Sequence, residues 1–278
     1  MKLIDSLRHA QTLGLDRIDA QLLHLFALGR ELHDRAWLLA HDDDELPADM
    51  IARLEPLLQR RAAGEPMAYI TGHKEFFSLP LQIDARVLDP RPDTETLVEW
   101  ALQHMPTDAP CEVIDLGTGS GAIALALQHQ RPGAKVIAVD ASADALAVAR
   151  ANAQGLRLPI HFVQSHWLSQ VTGHFDLIVS NPPYIRSDDP HLPSLRHEPL
   201  EALTSGADGL DDIRAIIAQA PAHLKPDGWL LLEHGHDQSS AVRGLFAQAG
   251  WHNIQSRRDL ADIERCTGAQ HRVIANKG

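Results

Sequence analysis

Residues 112–140, EVIDLGTGSGAIALALQHQRPGAKVIAVD, decide the fold. EVIDLG and KVIAVD are short apolar runs rich in β-branched residues and read as strands. SGAIALALQHQ, between them, reads as a helix. The alternation continues outward. SADALAVARANAQ is a helix, IHFVQ and FDLIVS are strands, DDIRAIIAQAPAHL is a helix and GWLLLEHG a strand. Short, continuously apolar strands between helices predict a mostly parallel sheet covered on both faces. The fold class is therefore α/β, doubly wound. Ligands of such a sheet bind beyond the carboxyl ends of the strands, at the switch point.

The first strand runs into DLGTGSGA, residues 115–122. Gly117, Gly119 and Gly121 let the backbone turn sharply and approach a ligand without a Cβ in the way. The second strand ends at Asp140, where a carboxylate can accept both hydroxyls of a ribose. The fingerprint alone fits three readings: a nicotinamide or flavin cofactor, S-adenosylmethionine, or tight strand-to-helix packing with no ligand. Asp115 tilts the balance. An anion there suits a cofactor carrying a free ammonium better than one carrying a pyrophosphate.

A second motif, SNPPYIR at 180–186, follows the strand FDLIVS. It places Asn181 at a strand's carboxyl end, facing the same crevice as the glycine loop. The Asn181 side-chain oxygen can accept one hydrogen of a planar NH₂ group, and the Pro182 carbonyl the other. Proline fixes φ and carries no N–H, so that carbonyl is aimed and has no competing donor beside it. Tyr184 can lay its ring on the flat face of the target. The competing reading is a strand ended by a rigid Pro-Pro turn. With the glycine loop upstream, the pattern describes a planar NH₂ held beside a methyl donor. No spacing points to a general base.

The remainder of the chain bounds the function. A chain of 278 residues, 44% hydrophobic and 22% charged, is long enough for a sizeable core and has the composition of a soluble globular protein. No apolar run is long enough to span a bilayer, and MKLIDSLRHAQTLGLD lacks the apolar stretch of a signal peptide. Two cysteines, Cys111 and Cys266, fit a reducing compartment, so the expected location is cytoplasmic, with no membrane partner. The net charge of −12 argues against broad binding to nucleic-acid phosphates. The 17 histidines form no metal motif; His234 and His236, the nearest pair, read as solvated, and no metal is expected.

Residues 1–68 are Leu- and Ala-rich with helical periodicity in IDAQLLHLFALGR and PADMIARLEPLLQRRAAGEP, and the acidic HDDDEL between them reads as a solvated loop. Residues 69–88 carry the aromatic and β-branched pattern of a hairpin or linker. The α/β domain follows at 89–278, opening on the helix DTETLVEWALQHM with Asp93 or Thr94 as its cap.

DLGTGSG, Asp140 and NPPY together resemble the class I S-adenosylmethionine-dependent amino-methyltransferases, which include N6-adenine DNA methyltransferases and protein glutamine methyltransferases. The flanks EPMAYITGHKEFFSLPLQIDARVLDPRPDTETLVE and RHEPLEALTSGADGLDDIRAII resemble the bacterial release factor glutamine N5-methyltransferases, the PrmC/HemK family. The resemblance covers nearly the whole chain. It implies a seven-stranded sheet and a small helical N-terminal domain that helps dock the substrate. It implies S-adenosylmethionine bound by Gly117, Thr118, Gly119, Ser120, Gly121 and Asp140, with Asn181 reaching the cofactor too. It implies that Asn181, Pro182, Pro183 and Tyr184 hold the glutamine of the Gly-Gly-Gln motif of class 1 peptide chain release factors. Catalysis would rest on Asn181, Pro182 and Tyr184.

One departure stands out. In QSHWL, His166 occupies a position where the family often has an acidic residue near the cofactor adenine. A neutral imidazole nitrogen can accept from an adenine amino group, whereas an imidazolium cannot. Trp167 is carried over as a wall of the cofactor pocket, against the alternative of simple core packing. Arg196 and Glu198, in RHEP, are expected to pair with each other near the site. The alternative function is an N6-adenine nucleic-acid methyltransferase using the same four residues on a flipped base. The −12 charge and the lack of a basic, aromatic-interleaved stretch stand against it.

Overall fold

The computed structural model describes residues 1–271 of the chain, in two compact units, Met1–His73 and a second that begins at Lys74. The first unit is helical: α1 (Leu3–Thr12), α2 (Arg17–Ala27), α3 (Arg35–Ala40), α4 (Ala48–Ala62) and α5 (Met67–Thr71). Leu3, Leu23, Leu25, Leu38, Leu54 and Leu58, spaced at helical intervals, converge on one core. Asp16 caps α2 by accepting from the Asp19 N–H. His24 is buried on α2, where its ring nitrogens bond the Ala20 carbonyl and the Ser6 hydroxyl of α1. Burial holds its imidazole below the usual range, so this histidine joins two helices as a neutral group. Asp42, Asp43, Asp44 and Glu45 are exposed, as expected of the acidic run.

A hairpin follows at the boundary, β1 (His73–Phe76) and β2 (Leu79–Gln82). Its turn residues Phe77 and Ser78 both have positive φ, the geometry of a primed two-residue turn built without glycine. Glu95 and Glu75 carboxylates accept the Phe77 and Ser78 N–H groups and hold the turn. Then follow α6 (Glu95–His104), β3 (Glu112–Leu116), α7 (Ala122–Gln130), β4 (Lys135–Asp140), α8 (Ala143–Leu156), β5 (Ile160–Gln164), β6 (Phe175–Ser180), α9 (Asp211–Gln219), β7 (Leu224–Glu233), α10 (Ser239–Gln248), β8 (His252–Arg258) and β9 (Glu264–Gln270).

The seven-stranded sheet has the order β5-β4-β3-β6-β7-β9-β8. β3 through β7 run parallel, and β9 pairs antiparallel with both β7 and β8. The doubly wound, mostly parallel sheet read from the alternation is the observed fold. The antiparallel edge was not visible in that alternation. Among the described residues no helix is long and apolar enough to cross a membrane.

The order reverses between β3 and β6, which makes this the switch point. Leu116 pairs with Ser180 there, the last residues of their strands. The buried Ser180 hydroxyl donates to the Leu116 carbonyl at 2.7 Å. The glycine loop and the NPPY segment thus leave the sheet side by side.

Gly268 of β9 lies where a Cβ would stand 2.4 Å from Leu231 Cδ2 and 2.8 Å from Trp100 Cη2. Gly268→Ala is expected to cost about 1–3 kcal/mol through overpacking, read as a lower urea midpoint at unchanged slope.

Candidate active site

The glycine loop is built by contacts that its composition alone does not reveal. Gly117, Gly119 and Gly121 all have positive φ. A Cβ on Gly117 would come within 3.2 Å of the Trp167 ring. Trp167 itself has φ of 49° and donates its indole N–H to Asp212 at 3.1 Å. The loop therefore lies against an indole fixed from the far side. Thr118, Ser120 and Gly121 are buried and support the loop from below. The Ser120 carbonyl accepts from Asn152 Nδ2 at 2.9 Å, and the same Asn152 amide bonds Gln82 N–H and carbonyl. One side chain of α8 thus ties the hairpin to the loop.

Asp115 does not face the crevice. It is wholly buried and accepts from the Thr118 hydroxyl at 2.6 Å and the Ala124 N–H at 3.3 Å. Burial pushes its carboxyl up to about 7, against those two bonds. Instead of meeting a cofactor ammonium, as expected from its place before the glycines, this carboxyl braces the loop onto α7.

Asp140 is half-buried at the end of β4. Its Oδ2 accepts Gly119 N–H at 2.9 Å and its Oδ1 accepts Ser142 N–H at 2.9 Å. A carboxylate has about four acceptor sites, so two bonds fix its orientation and leave capacity for a ligand's hydroxyls. A cleft of about 800 Å³ opens here, lined among others by Gly117, Gly119, Asp140, Ser142, Ser165, His166, Trp167, Asn181 and Pro183. His166 is exposed on its wall. This cleft fits S-adenosylmethionine: a Cβ-free cradle, an oriented carboxylate and an indole share one space.

A second cavity of about 300 Å³ shares Asn181 with the first and is lined by Arg91, Pro182, Tyr184, Leu195 and Leu203 as well. Asn181 Nδ2 donates to the Thr94 hydroxyl at 3.2 Å, which leaves Oδ1 to accept. Tyr184 N–H donates to the Leu203 carbonyl and its carbonyl accepts from Gln238, so the loop is anchored on both sides. The Tyr184 hydroxyl reaches Glu233 at 3.5 Å. Burial and the Glu233 charge raise its ionisation above the ordinary phenol value.

The predicted residues thus divide. Gly117, Gly119, Asp140, Trp167, Asn181 and Pro183 line the larger cleft; Asn181, Pro182 and Tyr184 line the smaller; Thr118, Ser120 and Gly121 lie beneath. The buried Glu198 carboxylate takes Arg91 at 2.6 Å and the Asp89 N–H at 3.3 Å. His234 is buried, not solvated: its ring bonds Thr267 Oγ1 and the Gly235 carbonyl. Among the described residues no cluster of three or more His, Cys, Asp or Glu could hold a metal. Sequence reading missed Thr94, Asn152 and Glu233. Only Thr94 carried a signal, and that signal was for a helix cap.

The doubly wound sheet with a glycine cradle, a carboxylate and an oriented amide at one switch point is that of a methyltransferase by comparison with known proteins. Its family implies S-adenosylmethionine as methyl donor. Residues 93–198 match the model of the methyltransferase small domain, and residues 3–72 that of the PrmC N-terminal domain. A release factor glutamine methyltransferase of Yersinia pestis is 46% identical over 92% of this chain and 92% of its own length. That of Escherichia coli K12 is 48% identical over 90% and 91%. The chain belongs to the release factor glutamine methyltransferase family. At the level of fold alone, a methyltransferase from Pyrococcus furiosus superposes with a TM-score of 0.56 at 15% identity, covering 80% of this chain and 99% of that one.

Gly117→Ala is expected to weaken S-adenosylmethionine binding at least about tenfold, roughly 1.4 kcal/mol, by moving Trp167 and straining the loop. Titration calorimetry reads the affinity, and the far-ultraviolet circular dichroism should stay unchanged.

Proposed function

We infer that this protein transfers a methyl group from S-adenosylmethionine to the side-chain amide nitrogen of a glutamine in a peptide chain release factor. The curated relatives carry that activity in their names. The observation in this molecule that supports it is the Asn181 amide. Its nitrogen is engaged by Thr94, so its oxygen is the atom offered at the junction of the two cavities.

In this reading Gly117, Gly119, Asp140 and Trp167 hold the cofactor, while Thr118, Ser120 and Gly121 shape the loop that carries them. Bound S-adenosylmethionine supplies a methyl group activated on a sulfonium. Asn181 Oδ1 and the Pro182 carbonyl each accept one hydrogen of the glutamine NH₂, and Tyr184 and Pro183 confine the amide plane. Two acceptors on one nitrogen increase its electron density and favour its turning out of conjugation with the carbonyl. Fixing that geometry is where most of the catalysis lies. The substrate is the glutamine of the Gly-Gly-Gln motif of class 1 release factors, and the helical unit Met1–His73 contributes to docking them.

Purified protein given labelled S-adenosylmethionine is expected to label a class 1 release factor on that glutamine and to leave duplex DNA unlabelled. Labelling of DNA with an unlabelled release factor would overturn the reading in favour of adenine. Asn181→Ala is expected to lose at least about 100-fold in kcat, with cofactor affinity largely retained. Near-normal turnover in that variant would remove Asn181 from the role.

A further inference from the structure

The side-chain amide of a glutamine presents an oxygen as well as a nitrogen. Asn181 Oδ1 and the Pro182 carbonyl take the hydrogens of the NH₂ and leave the oxygen without a donor. The cavity of about 300 Å³ beside them is walled largely by Leu88, Ile185, Leu195 and Leu203. A carbonyl oxygen moved there from water would lose its hydrogen bonds and find no replacement among those side chains.

The donors around this cavity are few. Among its described lining side chains, Arg91, Asn181 and Tyr184 carry N–H or O–H groups. Asn181 Nδ2 donates to the Thr94 hydroxyl at 3.2 Å, and the Tyr184 hydroxyl is directed at Glu233, 3.5 Å away. The main-chain N–H groups of Tyr184 and Ile185 both go to the Leu203 carbonyl. Those of Ala202 and Leu203 go to the Pro199 and Leu200 carbonyls. Arg91 is different. Its Nη2 donates to Glu198 Oε1 at 2.6 Å, and its Nη1 stands 4.0 Å from Asp89 Oδ2, beyond hydrogen-bond range. A guanidinium has more N–H groups than these partners use.

Arg91 is also held in place. The Glu198 side chain is 3% exposed, and its second oxygen accepts the Asp89 N–H at 3.3 Å. A planar guanidinium bound along one edge has its remaining N–H groups in a fixed direction. Arg91 lines this smaller cavity and is not among the residues lining the larger cleft that fits the cofactor.

We propose that Arg91, held by Glu198, donates to the side-chain carbonyl oxygen of the substrate glutamine and recognises that end of the amide. The two ends are then read by opposite chemistry: acceptors for the NH₂ and a cation for the oxygen. An amide turned end for end would set donor against donor and acceptor against acceptor. The inference rests on the reading of Asn181 and Pro182 as acceptors for the glutamine NH₂. The bond to oxygen is made in the ground state and kept in the transition state, so it bears on binding rather than on rate.

The test uses the full chain with S-adenosylhomocysteine bound, so that no methyl is transferred. The probes are a class 1 release factor and the same factor with its Gly-Gly-Gln glutamine replaced by alanine. By titration calorimetry, Arg91→Met is expected to bind the glutamine form about tenfold or more weakly than wild type does. For the alanine form the loss should stay below about twofold. With S-adenosylmethionine, KM for the glutamine form should rise by a similar factor, with kcat within about threefold and cofactor affinity within about twofold of wild type. Because Arg91→Met leaves the buried Glu198 unpaired, Arg91→Lys repeats the comparison with a cation kept there. An ammonium engaged by Glu198 lacks the second edge of the fork, so this variant is expected to lose at least about fivefold, again on the glutamine form alone. Equal losses on the two forms, or no loss on either, would overturn the role of Arg91. So would a loss of cofactor affinity as large as the loss of substrate affinity. A wild type that binds both forms equally and transfers no methyl would instead defeat the functional reading itself.

Discussion

The site depends on the hydrogen bond between the Ser180 hydroxyl and the Leu116 carbonyl at the switch point of the sheet. Parallel strands leave a slanted ladder, and the last carbonyl of a strand needs a partner once the ladder ends. Here a side chain of the neighbouring strand supplies it. The bond fixes the two strand ends at one height, and everything chemical follows from what leaves them. One end becomes a left-handed glycine turn, the other a pair of prolines. Neither segment has much freedom to drift, because the glycine turn rests on Trp167 and the prolines are followed by a tyrosine anchored at both its N–H and its carbonyl.

Two buried acids frame this junction and are used differently. Asp115 braces the glycine turn against α7 through Thr118 and the Ala124 N–H. Glu233 lies under the proline segment among hydroxyls and an arginine. Both are desolvated enough that their ionisation moves from the ordinary carboxylate range to about 7. A buried charge is costly unless its partners are good. Asp115 specifies a backbone shape, whereas Glu233 lies against the Tyr184 hydroxyl.

The fold and the two ligand-facing motifs were legible because each is written in consecutive residues. Alternating strand and helix patterns, glycines 117, 119 and 121, Asp140 after the second strand and Asn181 through Tyr184 are all short-range signals. What stayed hidden is long-range. Thr94 lies 87 residues from Asn181 and reads locally as a helix cap, yet its hydroxyl makes no capping bond. Asn152, on a helix face, acts 70 residues away on Gln82. Glu233 looks like the polar end of an apolar strand. Glu198 also takes Arg91, 107 residues distant, a partner that no local spacing signals. Asp115 was misjudged for the same reason, since burial is a property of the sheet and not of the motif.

The hydrogen bonds that complete the site also set when it can exist. The Thr94–Asn181 contact spans 87 residues, the Asp89–Glu198 contact 109, and the acid beneath them is residue 233. Contacts of such sequence separation form late, because each requires the closure of a long loop before it is rewarded. The glycine loop shares this dependence, because it rests on Trp167, whose indole is held by Asp212, and on a strand end bonded by Ser180. Cradle and acceptor are therefore completed together, by the packing of one sheet rather than by either motif alone.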